Sequence, residues 1–293
     1  MSVIDAHQHF WRLSPGRYTW LGPGDAPIAR SWDEHDLAPL IEGTGVTRTV
    51  LVQAENSRAD TDDMLAACDR WPVAAAVVGW VPLERPAEAA AELERRTADP
   101  RFVGVRHLNH NEPDPDWLVR PDVAESLRLL PPHGLTFDIV AIGERDLAHV
   151  AALADLLPDL TIVVDHLGAP PIAGGDPGPW AAALAEAAAR PNVVAKVSGL
   201  GTLTGTPDWT AEALRPFTDH ALRAFGAGRL MFGGDWPVCE LAGGYRRVRA
   251  AIDACTADWP PADRARLFSG TATEVYGLAG LLGETGQGLP QGR

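Results

Sequence analysis

Eight short apolar runs rich in β-forming residues alternate with longer amphipathic stretches along this chain of 293 residues. The runs are Val3 to His7, Arg48 to Gln53, Ala74 to Val81, Val103 to His107, Leu135 to Val140, Leu160 to His166, Val193 to Ser198 and Leu230 to Asp235. Helical periodicity falls between them, over Asp33 to Ile41, Thr61 to Arg70, Pro86 to Thr97, Glu144 to Leu157, Trp180 to Ala189 and Pro207 to Phe225. Ser31 with Glu34 has the spacing of a capping box, and Pro72, Pro100, Pro158 and Pro191 mark helix exits. Strands separated by helices pair in parallel through right-handed crossovers. Eight such units in fewer than 300 residues suit a closed (β/α)8 TIM barrel, with a doubly wound open sheet as the alternative.

At 46% hydrophobic content the chain can bury one large core, so residues 1–278 are expected to form a single domain. Two regions depart from the alternation. Phe10 to Ala29 is a Trp, Gly and Pro-rich loop long enough to act as a flap over a site. Residues 279–293 are Gly-rich and read as a flexible C-terminal tail. A net charge of −14 argues against nucleic acid as a partner. Three scattered cysteines, Cys68, Cys239 and Cys255, support neither a disulfide framework nor a C-x-x-C metal site. The N-terminus carries no secretory pattern and no run of 18 apolar residues follows, so a cytoplasmic protein without membrane association is expected.

In a parallel barrel, catalytic groups sit at the C-terminal ends of the strands. Here those ends carry His7 and His9, Gln53, Arg106 and His107, Asp138, Asp165 and His166, Lys196 and Ser198, and Asp235. Burying polar groups without partners costs several kcal/mol, and a shared functional centre explains them together. His7 and His9 are two apart and so project from one face of a strand. With His166 and Asp235 they form a set able to bind one divalent cation with positions left for water. Without a metal, Asp235 can act as a general base while the histidines donate hydrogen bonds. Arg106, His107 and Lys196 are candidates to stabilise an oxyanion, and Trp11, Trp80 and Trp236 to line an aromatic surface.

The segments His7-Gln8-His9-Phe10-Trp11, Val103-Gly104-Val105-Arg106-His107, Asp165-His166-Leu167-Gly168, Ala195-Lys196-Val197-Ser198-Gly199 and Phe232-Gly233-Gly234-Asp235-Trp236-Pro237-Val238 resemble the amidohydrolase superfamily. More closely they resemble its sugar lactonase branch, of the L-fuconolactonase and L-rhamnono-lactone hydrolase type, in the same order from residue 3 to about residue 278. The resemblance implies a barrel that hydrolyses a small sugar lactone to the open hydroxy acid. Lys196 and Ser198 stand on the strand after His166, where the binuclear members' second downstream histidine finds no counterpart. The resemblance therefore implies no bound metal or a single divalent ion, zinc foremost, rather than two. Gly234 stands where the branch often has serine, which changes neighbouring hydrogen bonds and leaves the carboxylate in place.

On this reading Asp235 deprotonates water, the oxyanion is held by Arg106, His107 or Lys196, and a histidine or Asp235 returns the proton to the leaving ring oxygen. Trp11 and Trp236 are assigned to the sugar. A metal-dependent nonoxidative decarboxylase of the same superfamily is the alternative, and a sugar-binding barrel without turnover is a third class. The chain could also form a homo-oligomer.

Overall fold

The computed structural model describes residues 2–282. Its strands are β1 (Val3–Gln8), β2 (Val46–Val52), β3 (Ala74–Gly79), β4 (Phe102–His107), β5 (Thr136–Ile139), β6 (Ile162–Val164), β7 (Val193–Val197) and β8 (Leu230–Phe232). Each pairs in parallel with the next, in the order β1 to β8. The ring is drawn shut just beyond β8, where Gln8 bridges Trp236. There the Asp235 N–H donates to His7 O at 2.8 Å and the His9 N–H to Trp236 O at 2.7 Å. The architecture is the expected single (β/α)8 barrel.

Every strand residue except Thr47 and Arg48 is buried, as expected of a parallel sheet covered on both sides. Leu51, Val77, Phe137, Ile162, Val197 and Phe232 belong to one core cluster with helical Leu93, Leu147, Leu184, Leu214 and Ile252. Full burial of each such side chain contributes about 1.5–3 kcal/mol. A smaller cluster joins Ile4, Val50, Val78, Val163, Val194 and Met231 to Ala272, Tyr276 and Leu278, so the C-terminal segment is part of the barrel.

The six expected helices are present as Glu34–Ile41, Arg58–Arg70, Pro86–Arg96, Gly143–Leu156, Pro177–Ala188 and Ala211–Phe225. Pro72, Pro100, Pro158 and Pro191 all follow helix ends. Further helices lie outside the expected six, among them Pro121–Leu127, Tyr245–Cys255, Pro261–Ala265 and Thr271–Val275. The capping box is displaced from its expected place. Asp33 caps the first helix by accepting from His35 N, and Asp36 accepts from Asp33 N. Ser31 instead accepts from Leu13 N and ties down the long loop. Ala279–Leu282 form a helical turn, and the rest of the expected tail lies outside the described residues. No helix among the described residues is long and apolar enough to cross a membrane.

Candidate active site

The C-terminal ends of β1, β6 and β8 bring four side chains together. His7 is the penultimate residue of β1 and His9 follows the strand, and their Nε2 atoms lie 3.1 Å apart. β6 stops at Val164 because His166, Leu167, Gly168 and Ala169 all take left-handed backbone, with φ between 53° and 70°. That turn folds His166 back over the strand ends, its ring 4.6 Å from that of His7. Beyond β8, Gly233 lets the chain pass closely, since a Cβ there would lie 2.5 Å from His7 Cβ. Asp235 then points inward, with Oδ1 3.3 Å from His9 Nε2 and 3.6 Å from His7 Nε2. The four residues expected to meet do meet.

Gly234 has its own reason. A side chain here would set its Cβ 2.3 Å from the Tyr245 ring and 2.6 Å from Asp5 Oδ2. Tyr245 occupies that space and donates its hydroxyl to Asp5 at 2.7 Å. Asp5 also accepts from the backbone N–H of Gly234 at 2.9 Å and of His7 at 3.1 Å, which couples the exits of β1 and β8. Burial pushes its carboxyl up to about 6, against those bonds.

The electrostatics favour neutral rings around an ionised carboxylate. Burial holds His7 well below its usual range despite the nearby Asp165, and burial also lowers His166. For Asp235, burial works upward, but the surrounding His166, His9 and His7 outweigh it and hold the carboxyl at about 2. His9 Nδ1 faces Val52 O at 2.7 Å, and His166 Nδ1 faces Ser198 Oγ at 2.8 Å. A carbonyl can only accept, so a neutral His9 carries its proton on Nδ1 and turns an Nε2 lone pair toward Asp235. Two acceptors facing each other at 3.3 Å call for a cation or a proton between them. His7, His166 and Asp235 also present ligand atoms within 4.8 Å of one another, so the donor set fits a single metal ion.

The other expected site residues are distributed differently. Arg106 reaches the cluster, with Nε 3.2 Å from Asp165 Oδ2 and Nη1 3.2 Å from Gln53 O, and Nε makes no aligned hydrogen bond among the described residues. His107, the next residue on β4, must point the opposite way. It stacks on Trp117 at 4.0 Å and pairs with Glu112 at 2.8 Å, away from the cleft. Lys196 is fully buried beneath His7, 2.5 Å from Asp138 Oδ2, 3.1 Å from Asp165 Oδ1 and 3.1 Å from His7 Nδ1. It neutralises buried carboxylates and supports His7, so no surface is left for substrate. Trp236 is fully buried between Phe10 and Trp32, and Trp80 donates to His107 Nδ1 at 3.3 Å. Both are packing residues.

A cleft of about 430 Å³ opens above Arg106 and His9, and Trp11, Trp20, Ala54, Leu108 and His110 complete its lining. Trp20 and His110 carried no signal in the sequence, because both stand on irregular segments where no periodicity marks a facing side. A larger hollow of about 830 Å³, lined by Arg128, Pro131, Pro132 and Leu156 to Leu160, lies at the opposite end of the barrel. Strand N-terminal ends there carry stability rather than chemistry.

A parallel eight-stranded barrel with two β1 histidines, a β6 histidine and a β8 aspartate converging at the strand ends has the architecture of the amidohydrolases. The chain belongs to the amidohydrolase family, which its residues 4–278 match. It is 37% identical over 277 residues to an L-fucono-1,5-lactonase of Burkholderia ambifaria, across 93% of this chain and 94% of that protein. It is equally 37% identical over 290 residues to an L-fucono-1,5-lactonase of Burkholderia multivorans, across 94% and 96%. A crystal structure of a Burkholderia multivorans amidohydrolase with bound zinc is 34% identical, with a TM-score of 0.86 over 94% of this chain and 99% of that one.

Proposed function

We propose that this protein is a lactonase that opens a neutral sugar 1,5-lactone to its hydroxy acid by attack of water at the carbonyl carbon. The observation that carries this reading is the buried Asp235, gathered with His7, His9 and His166 directly behind a cleft whose wall holds His9 and Arg106. The lactonase relatives fit it. Asp235 takes a proton from water, and the oxygen adds to the lactone carbonyl. Arg106, which lines the cleft and brings Nη1 to 3.5 Å from His7 Nε2, supplies the cation for the oxyanion. Collapse breaks the bond from the acyl carbon to the ring oxygen, which leaves with the proton returned by Asp235, directly or relayed through His166. A carboxylate held near 2 is always ionised but accepts a proton reluctantly. Polarisation of the carbonyl must therefore accompany the transfer.

His7, His9, His166 and Asp235 would hold one divalent ion, zinc by preference, which when bound supplies Lewis-acid polarisation and a more acidic water. Trp11 is assigned to the substrate because it lines the cleft. The cleft offers one permanent cation, Arg106, which suits a single oxyanion on a neutral ring better than a dicarboxylate. Three cysteines without disulfides and a net charge of −14 support a reducing, cytoplasmic setting without nucleic-acid partners.

The test is acid release from a panel of aldono-1,5-lactones, L-fucono-1,5-lactone first, before and after exhaustive chelation. Rapid release in both states is expected if the proton between His9 and Asp235 suffices. Loss on chelation with recovery on adding zinc would make the four residues ligands. No release in either state, with carbon dioxide evolved from an aromatic acid, would replace the lactonase by a decarboxylase.

A further inference from the structure

The loop after β1 follows no regular secondary structure over most of residues 10–29, yet it is anchored at nearly every turn. Trp11 and Trp32 exchange backbone hydrogen bonds at 3.1 and 2.9 Å. Tyr18, whose backbone is left-handed at φ 49°, is buried and donates its hydroxyl to Asp60 at 2.7 Å. Its own N–H donates to Glu55 at 2.8 Å, and Arg17 pairs with the same carboxylate. Asp60 also accepts from Ala54 N at 2.9 Å, while Ala54 O accepts from Trp20 Nε1 at 2.8 Å. One residue just beyond β2, Ala54, is thus held by the clamp through its N–H and holds the indole through its carbonyl.

Trp20 stands edge-to-face with Trp11, ring centres 5.5 Å apart, and remains partly exposed toward the cleft. Trp11 turns its Nε1 to Arg30 O at 2.7 Å. Both indoles have committed their only polar atom to main-chain carbonyls, and because Trp11 is 2% exposed and backs Trp20, the aromatic surface open to a ligand is mainly that of Trp20. Ala54 and Leu108 extend that surface, and His9, Arg106 and His110 supply the polar groups. The cleft is two-sided. A sugar lactone is two-sided in the same sense, with hydroxyls and a carbonyl around its edge and C–H bonds on its faces.

We propose that Trp20 is a substrate-contacting specificity residue that, with Trp11, forms an apolar wall for the C–H face of the lactone ring, and that Tyr18 is the positioning residue holding it there. The proposal rests on the lactonase reading. The wall is pre-formed, so it rewards a ring with a flat C–H face and penalises an epimer that places a hydroxyl against the indole, where the lost water is not replaced.

The test is steady-state hydrolysis of three epimeric aldono-1,5-lactones by the unmodified full chain, Trp20→Ala, Trp20→Phe and Tyr18→Phe. Trp20→Ala is expected to raise KM for the preferred epimer about ten-fold, with a smaller change in kcat, and to narrow the spread of kcat/KM across the panel. Trp20→Phe should keep most of the discrimination. Tyr18→Phe leaves the indole intact but removes its anchor to Asp60, and should raise KM about three-fold in the same epimer order. Unchanged KM and unchanged spread in Trp20→Ala, with normal turnover by the unmodified protein, would overturn the wall and leave the lactonase reading standing. If Trp20→Ala does not fold, Tyr18→Phe decides, and an unaltered KM there overturns the proposal. No turnover by the unmodified protein overturns both.

Discussion

Replacing Asp235 with Asn removes the proposed base while disturbing little else. The residue sits at φ 55°, a backbone region that Asn tolerates well. Its main-chain bonds, to His7 O and from Cys239 N, are both 2.8 Å and do not involve the side chain. Asp165, the other buried carboxylate in contact with His7, meets it at Nδ1 on the far side of the ring and so is not placed to take over as base from the cleft. The loss in kcat is therefore expected near the upper end of the general-base range of about 10²–10⁴-fold, or roughly 3–5 kcal/mol in the barrier. There is also a stability consequence. The folded carboxyl lies at about 2, below its unfolded value, so its ionised form contributes stability that is present above about pH 4 and lost as pH falls through 2. About two pKa units correspond to roughly 2–3 kcal/mol at pH 7, and a Tm lower by about 4–10 °C. Indicator-monitored acid release gives kcat, and thermal unfolding followed by circular dichroism gives Tm at pH 7 and pH 3. A drop in kcat of less than ten-fold in a folded variant would refute the assignment of the base.

Because Asp235 is ionised from about pH 2 upward and burial keeps His7 and His166 unprotonated, kcat/KM should be level from pH 5 to 8. An acid limb centred near pH 6.5 would show that an imidazole or the carboxylate titrates in the working range. Burial pushes Asp60 up to about 7, so the folded state binds its proton more tightly than the unfolded chain. Its contribution is greatest below about pH 4 and fades as pH rises through 7, and Asp60→Asn should flatten the decline of Tm between pH 5 and 8. An unchanged slope would place that decline elsewhere. Gly234→Ser forces a Cβ to 2.3 Å from the Tyr245 ring and should cost about 1–3 kcal/mol, a fall of about 2–12 °C in Tm. An unaltered Tm would mean that Tyr245 moves aside freely.

The strands were legible because each is a short apolar run closed by Gly, Pro or polar residues, and His7, His9, His166 and Asp235 were legible because they terminate such runs. The local pattern also held the correction for His107, since adjacent residues on β4 cannot share a face. What the pattern could not hold was partnership across the chain. Lys196 reads as a cation at a strand end, and its distant partners Asp138 and Asp165, with Tyr276 bonded to Asp138, reveal it as a buried counter-ion. Trp236 stands beside Asp235 in sequence, yet the bridge to Gln8 turns it into the aromatic packing of Phe10 and Trp32. Trp20 was hidden because its place depends on the Tyr18, Glu55 and Asp60 clamp rather than on any periodicity. The helix Tyr245–Cys255 was obscured by three arginines in its first five residues, one of which, Arg249, is buried against Phe268.

The most direct test of lactone opening by water at the carbonyl carbon is turnover of L-fucono-1,5-lactone in water enriched in oxygen-18, with the product acid analysed by mass spectrometry. One label per molecule, located in the carboxylate, is the expected result. Label in the product hydroxyl, or no acid formed above the uncatalysed rate, would contradict it.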